Sequence, residues 1–271
     1  MGDIMKAAAI QMDCRCCDVK ANLEKAGVLL KKAKAAGAEL AVLPELFNVG
    51  YDLDALEGLE YNYNETADEI SRLSKDLNMY IVAGVLEKLN DKYHNSALIF
   101  DNKGTMVDRY RKVNLFPLGR EKEIFEPGVE TTTFSIDGIK FGVMICYDIR
   151  FPELGRKYFQ EGCDALLVAS AFPFARQEHW NTLIRARAIE NQSYVIAANR
   201  CGMDGKTRFA GNSCIVDPWG NVSGVPDNFQ EAAVVQTMDI QESNRVRKLF
   251  PIREDKQRLD SVLSINKRNE Q

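Results

Sequence analysis

Short uninterrupted apolar runs alternate with amphipathic stretches along the chain. MKAAAIQ at 5–11 reads as a first buried strand. From Val19 to Ala36, Leu23, Ala26, Leu30 and Ala33 recur three or four apart among lysines and glutamate, which predicts a helix with one buried stripe. Gly37 supplies its stop. ELAVLPELF follows as a strand-length apolar run, broken by Pro44 and delivering Glu45. A second helix is predicted over Thr66–Asn78, with Ile70, Leu73 and Leu77 on one face, and then a strand in MYIVAGVLEKL. HNSALIFDNKGTMVDRYRK reads as a hairpin turning at Asn102-Lys103-Gly104. TTTFSIDGIKFGVMIC reads as another, turning at Asp137-Gly138 and ending on Cys146.

The second half repeats the alternation. PELGRKYFQ after Pro152 predicts a helix stopped by Gly162, and CDALLVASAF a buried strand. EHWNTLIRARAIENQ is helical in pattern, SYVIAANR a strand, GNSCIVDPWGNVSG a strand with a Pro-Trp-Gly turn, and EAAVVQTMDI a last strand. AAGAELAVLPELF and FQEGCDALLVASAF echo each other as helix end, glycine stop and apolar strand, so two related α/β halves in one domain are expected. AVLPE and ALLVAS lack polar alternation, which predicts strands covered on both faces. Hairpins mixed with helix–strand units point to mixed sheets flanked by helices. The domain is read as 1–241, and the charged stretch 242–271, with LFPI inside it, as a tail.

Composition narrows the function classes. The chain has 271 residues, enough for a sizeable core, and its net charge of −4 with no long basic run argues against nucleic acid or an anionic membrane as partner. No apolar stretch reaches the roughly 20 residues of a membrane span, and the N-terminal segment lacks the apolar core of a secretory signal, so a cytoplasmic location is expected. Seven cysteines in no regular framework predict free thiols. The cluster Cys14, Cys16, Cys17 lacks partner ligands at metal spacing, and His94 and His179 are distant, so no metal is expected.

Three chemically capable residues stand where a predicted strand meets a loop: Glu45, Lys112 and Cys146. Alone, each has a plain structural reading as a solvated strand-end carboxylate, one member of the basic RYRK, and a core thiol. Together they suit acyl transfer from an amide to water. A cysteine nucleophile needs a base or a cation beside it, and histidine is scarce. Glu45 would take the thiol proton, and Lys112 with the Tyr147 backbone amide would receive the oxyanion.

The surrounding residues resemble the nitrilase superfamily of carbon–nitrogen hydrolases. LPELF at 43–47, RYRKVNLF at 109–116 and CYDIRFPE at 146–153 match its three motifs in order, and further similarity runs through EIFEPG, RARAIENQSYVIAANRCG and GNSCIVDPWG. The resemblance implies a four-layer α-β-β-α sandwich of two mixed sheets and a Glu45–Lys112–Cys146 triad acting through a thioester without a cofactor. It also implies a supporting glutamate, which falls on Glu121, with Glu123 adjacent. Asn114 departs from the histidine frequent in relatives.

CYDIRFPE is similar to the omega-amidase and deaminated-glutathione amidase branch, which implies a small anionic omega-amide of a 2-oxo acid. Arg150 and Arg176 are the candidate carboxylate anchors, with Phe172 and Tyr147 as pocket neighbours. An ion pair of Arg150 with Asp148 or Glu153 is the competing reading, and the loop at Arg176 lacks the threonine–glycine sequence of many omega-amidases. Phe174, His179 and Trp180 are either pocket wall or helix-start core. Rival functions are an N-carbamoyl amine or amino-acid hydrolase, a cysteine hydrolase using His94 or His179, and an idle binding protein on the same fold. The resemblance also implies a homodimer or larger homo-oligomer, with the tail packing on a partner subunit or on its own domain.

Overall fold

The computed structural model describes residues 3–56, 59–90, 92–224, 229–256 and 258. In chain order the first half forms β1 (Ile4–Gln11), α1 (Val19–Ala35), β2 (Leu40–Leu43), α2 (Tyr63–Leu77), β3 (Tyr80–Leu89), β4 (Lys92–Phe100) and β5 (Met106–Arg111). The second half adds α3 (Glu121–Ile124), β6 (Thr133–Ile136), β7 (Ile139–Ile145), α4 (Pro152–Gln160), β8 (Ala165–Ser170), α5 (Gln177–Asn191) and β9 (Tyr194–Asn199). After these come β10 (Met203–Asp204), β11 (Thr207–Arg208), β12 (Cys214–Val216), β13 (Val222–Ser223), β14 (Ala232–Asp239) and α6 (Ile240–Leu249).

Two six-stranded mixed sheets result, ordered β14-β1-β2-β3-β4-β5 and β13-β12-β9-β8-β7-β6. The period of two in each strand decides which residues enter which layer. In the first sheet Ala7, Ala9, Leu40, Val42, Val82, Ala97 and Ile99 join one core with β7, β8 and β9 of the second. Their alternates, among them Ala8, Ile10, Ala41, Leu43, Ile81 and Leu98, pack on Leu29, Leu30, Ile70 and Leu73 of α1 and α2. Trp180, Ile184 and Ala188 of α5 cover the second sheet from outside. The layers are α-β-β-α.

Local chemistry sets the boundaries. Asp18 caps α1 by accepting from the Ala21 amide, and Asn62 starts α2 a turn earlier than the apolar stripe indicates, at Tyr63 instead of Thr66. The β6–β7 turn has positive φ at Asp137 (49°) and Gly138 (89°), the pairing a type I′ hairpin needs. The run ELAVLPELF is shorter as a strand than its pattern suggests, because β2 stops at Leu43 and Pro44 opens the turn that carries Glu45.

The boundary expected at residue 242 falls inside α6. This helix is tied to its own chain: Arg247 donates to Asp164 Oδ1 and to the Cys163 carbonyl, both at 2.9 Å. Gln192 donates to the Phe250 carbonyl at 2.7 Å, and Arg253 to that of Phe159 at 2.7 Å. The start of the tail therefore folds back. A partner contact by residues 257 and 259–271 lies outside the described residues. No helix among the described residues is long and apolar enough to cross a membrane.

Candidate active site

Strand periodicity separates the RYRK residues. Arg109 and Arg111 reach the buried Glu87 at 2.6 and 2.8 Å, whereas Tyr110 is buried in the core between the sheets. Lys112, one residue past β5, follows Tyr110 inward and is fully buried between two carboxylates. Its Nζ donates to Glu45 Oε1 at 2.6 Å and to Glu121 Oε1 at 2.7 Å. Glu45 accepts further bonds from Asn95 Nδ2 (2.7 Å) and the Ala171 amide (2.8 Å). Glu121 also accepts from the Tyr51 hydroxyl and, at 2.7 Å, from the Phe116 amide. Glu123 is exposed and pairs with Arg120, so Glu121 is the carboxylate that reaches Lys112.

Three of the corners that deliver these side chains use left-handed non-glycine residues: Leu46 (φ 48°), Arg120 (φ 56°) and Cys146 (φ 45°). Each costs on the order of 1 kcal/mol or more relative to an ordinary conformation, a strain that the packed sheets must hold. The close passage of Pro44–Glu45 over β3 also needs Gly84. A Cβ there would lie 2.4 Å from the Pro44 oxygen and 2.7 Å from the Glu45 Cα.

Cys146 opens a 3-10 turn over residues 146–150 at the tip of β7 and lines a cavity of about 680 Å³. The turn is pinned by Asp148, which is fully buried. Its Oδ2 accepts from the Tyr110 hydroxyl (2.8 Å) and the Ile145 amide (3.0 Å). Its Oδ1 accepts from the backbone and side chain of Asn114 at 3.0 and 2.9 Å. Asn114, the departure from the family pattern, thus ties the loop after Lys112 to the turn that carries Cys146.

Burial dominates the electrostatics. It pushes the Glu45 carboxyl above its usual 4.5, with Lys112 opposing and Glu121 adding. It also raises the Cys146 thiol, helped by the Glu45 charge and opposed by Lys112. For Lys112, burial acts downward but Glu121 and then Glu45 outweigh it, so the amine stays charged. Two carboxylates share this one ammonium beside a neutral thiol, an arrangement suited to moving a proton between sulfur and Glu45.

The cavity wall holds Tyr147, Arg150, Phe172 and Arg176. Arg150 lies over the Phe172 ring at 5.2 Å and the Tyr147 ring at 6.0 Å, and its Nη2 is 3.2 Å from His179 Nδ1. Its predicted ion pair with Asp148 or Glu153 does not form. Asp148 spends both oxygens on the turn, and Arg150 has no ion pair among the described residues. Arg176 lies over the Phe116 ring at 5.4 Å. Of the other aromatic candidates, Trp180 is core, bonding the Asn212 carbonyl, and Phe174 is exposed beside Arg208. His94 bonds the Glu126 carbonyl and His179 faces Arg150, so neither histidine serves the thiol.

Sequence reasoning missed Tyr51, Asn95 and Ala171, whose roles depend on chain crossings that spacing does not reveal. Among the described residues, the one group with metal-compatible spacing is Cys16, Asp52 and Asp204, with ligand atoms within 4.8 Å. Asp204 is already held by Arg200 and the Tyr51 amide, both at 2.6 Å, which gives it a structural role.

The family profile described as carbon-nitrogen hydrolase matches residues 6–248. The chain belongs to that family. This hydrolase is 38% identical over 237 residues to the 2-oxoglutaramate amidase of Bacillus subtilis (strain 168), covering 86% of this chain and 90% of the relative. It is 33% identical over 259 residues to omega-amidase NIT2-B of Xenopus laevis, covering 91% and 92%. In structure it resembles a carbon-nitrogen hydrolase from Helicobacter pylori G27, with a TM-score of 0.87, 26% identity and coverage of 94% and 95%. An amidase from Nesterenkonia sp. gives a TM-score of 0.83 at 26% identity, covering 90% and 94%. The chain is an enzyme of the amidase type on the nitrilase fold.

Proposed function

We propose that this hydrolase cleaves the terminal amide of a small anionic 2-oxo acid through a Cys146 thioester. The observation that carries the chemistry is the Lys112 ammonium held between Glu45 and Glu121, with Lys112 and Glu45 near enough to act on the cavity-lining Cys146 thiol. Glu45 accepts the thiol proton as sulfur adds to the amide carbonyl carbon. Lys112 and the Tyr147 amide receive the negative charge that develops on the carbonyl oxygen. Collapse breaks the carbon–nitrogen bond, Glu45 returns the proton to the leaving nitrogen, and ammonia departs. Water then attacks the thioester carbonyl, giving its proton to Glu45, and the carboxylic product leaves as that proton returns to sulfur. Glu121, with Tyr51, holds Lys112 in place and balances its charge.

The substrate class rests on Arg150 and Arg176, two cavity-lining guanidiniums without an ion pair among the described residues. An anionic substrate neutralises them, and the aromatic faces beneath fix their planes for carboxylate binding. The likeness to relatives named 2-oxoglutaramate amidase and omega-amidase supports the same class. Seven free cysteines suit a cytoplasmic location.

Ammonia release from a panel of omega-amides, neutral amides, nitriles and N-carbamoyl compounds tests this reading, with Cys146→Ala as the blank. Anionic omega-amides should be the best substrates, and Arg150→Ala or Arg176→Ala should raise their KM at least tenfold. Full activity in Cys146→Ala refutes the mechanism, and unchanged KM in both arginine variants refutes the anchor. Carbon dioxide released with ammonia from the N-carbamoyl compounds would identify the rival hydrolase.

A further inference from the structure

Ser170 ends β8 and is fully buried, yet its Oγ has no hydrogen-bond partner among the described residues. Such a hydroxyl is unfavourable to stability, since water has been removed and nothing replaces it. An alanine would fill the same place without that cost. The position is not arbitrary. The last pairing of the parallel strands β7 and β8 is Ile145 with Ala169, so the next residues, Cys146 and Ser170, emerge side by side from adjacent strand ends. Cys146 then leaves the strand at left-handed φ, and its sulfur stays close enough for the Ser170 hydroxyl to act on it. The following residue, Ala171, donates its amide to Glu45. Ser170 therefore sits between the thiol and the backbone that fixes the base.

We propose that Ser170 is a positioning residue for the nucleophile, its hydroxyl turning to donate to the Cys146 sulfur once the thiol proton has passed to Glu45. No bond to Ser170 forms or breaks. The proton moves from sulfur to the Glu45 carboxylate, and the serine O–H lends a hydrogen bond to the thiolate left behind. A neutral thiol is a weak acceptor, whereas a thiolate is a strong one, so the unpartnered hydroxyl of the resting site gains its partner when sulfur becomes negative. The serine also favours the ionised form of Cys146, against the larger upward pull of burial and Glu45. Stability is given up in the resting enzyme for stabilisation of the attacking state.

This inference rests on Cys146 as nucleophile and Glu45 as base, and the test separates the two levels. In the full-length enzyme Ser170→Ala should melt at the wild-type temperature or above it. Its kcat/KM for amide hydrolysis should fall about tenfold, as expected for one lost hydrogen bond to a charged atom. Iodoacetamide modification of Cys146, followed by peptide mass spectrometry across pH, should slow similarly, its rise with pH displaced to higher pH. Ser170→Thr, which keeps the hydroxyl, should recover the alkylation profile. If the added methyl unfolds it, Ser170→Gly must reproduce the alanine profile. Unchanged kcat/KM and alkylation in Ser170→Ala overturn the proposal, as does a lower melting temperature with no shift of the pH limb. Activity surviving in Cys146→Ala removes the nucleophile assignment itself. Loss there beside a wild-type Ser170→Ala removes only the serine's role.

Discussion

Replacing Asp148 by asparagine preserves shape and removes one acceptor oxygen from a place where four donors converge. The Tyr110 hydroxyl and the Ile145 amide meet Oδ2, and the Asn114 backbone and side chain meet Oδ1. In Asp148→Asn, whichever way the amide turns, its NH2 faces two of those donors. The tyrosine hydroxyl can rotate and the Asn114 side chain can turn over, but a backbone N–H cannot adapt. Hydrogen bonds to a charged acceptor contribute roughly 1.5–3 kcal/mol each. Loss of one fixed bond and weakening of the others therefore costs about 3 kcal/mol, a large share of the 5–15 kcal/mol typical of a domain. Urea unfolding of both proteins at pH 7, compared by midpoint and slope, measures this cost. Activity, assayed where both are fully folded, should show kcat/KM down tenfold or more, because the carboxylate sets Cys146 against the loop after Lys112. A variant within about 0.5 kcal/mol of wild type and equally active would refute the idea that Asp148 fixes the turn.

Three further outcomes follow from the same structure. Because burial lifts the Glu45 carboxyl above 4.5, its base form is lost at a higher pH than for an ordinary glutamate. The acid limb of kcat/KM should lie above pH 4.5 with activity rising through it, and a limb at or below 4.5 in initial-rate profiles counts against Glu45 as base. Burial would also raise Glu87, but hydrogen bonds from Arg111, Ser96 and Arg109 hold it at about 2. A depressed carboxyl stabilises the fold above pH 4.5 and loses that stabilisation as pH falls toward 2, so the deficit of Glu87→Gln should shrink by up to about 3 kcal/mol over that window in urea melts. Gly84→Ala should lower stability by about 1–3 kcal/mol and suppress kcat, since its methyl would displace the Pro44–Glu45 backbone. A melting temperature and rate unchanged from wild type would exclude that steric reading.

Legibility from sequence follows range. The β6–β7 hairpin, the α4 start at Pro152 and the strand ending on Cys146 depend on neighbours a few residues away, and their patterns state them. Glu45 and Cys146 mark themselves by standing after unbroken apolar runs, and the family motifs order them with Lys112. The choice of Glu121 over Glu123 needed the fold. Both lie on one short turn, and only its orientation buries the first against Lys112 while the second pairs with Arg120. Tyr51, Asn95 and Ala171 carry no local mark at all, because their value comes from partners 50 or more residues away in the chain. The competing ion-pair reading of Arg150 rests on its closeness in sequence to Asp148, whose oxygens are taken by Tyr110, the Ile145 amide and Asn114.

The three donors around Glu45 come from chain positions 50, 67 and 126 residues away: Asn95 within β4 and Lys112 just past β5 belong to the first sheet, and Ala171 follows β8 of the second. Such long-range closure is the slowest part of assembling a chain of this topology. Neither half of the molecule can build the Glu45 environment alone, so a refolding chain should regain turnover only when the two sheets have docked. Recovery of catalysis after dilution from denaturant is then a clock for that final event. It should trail the return of helical and strand signal instead of accompanying it.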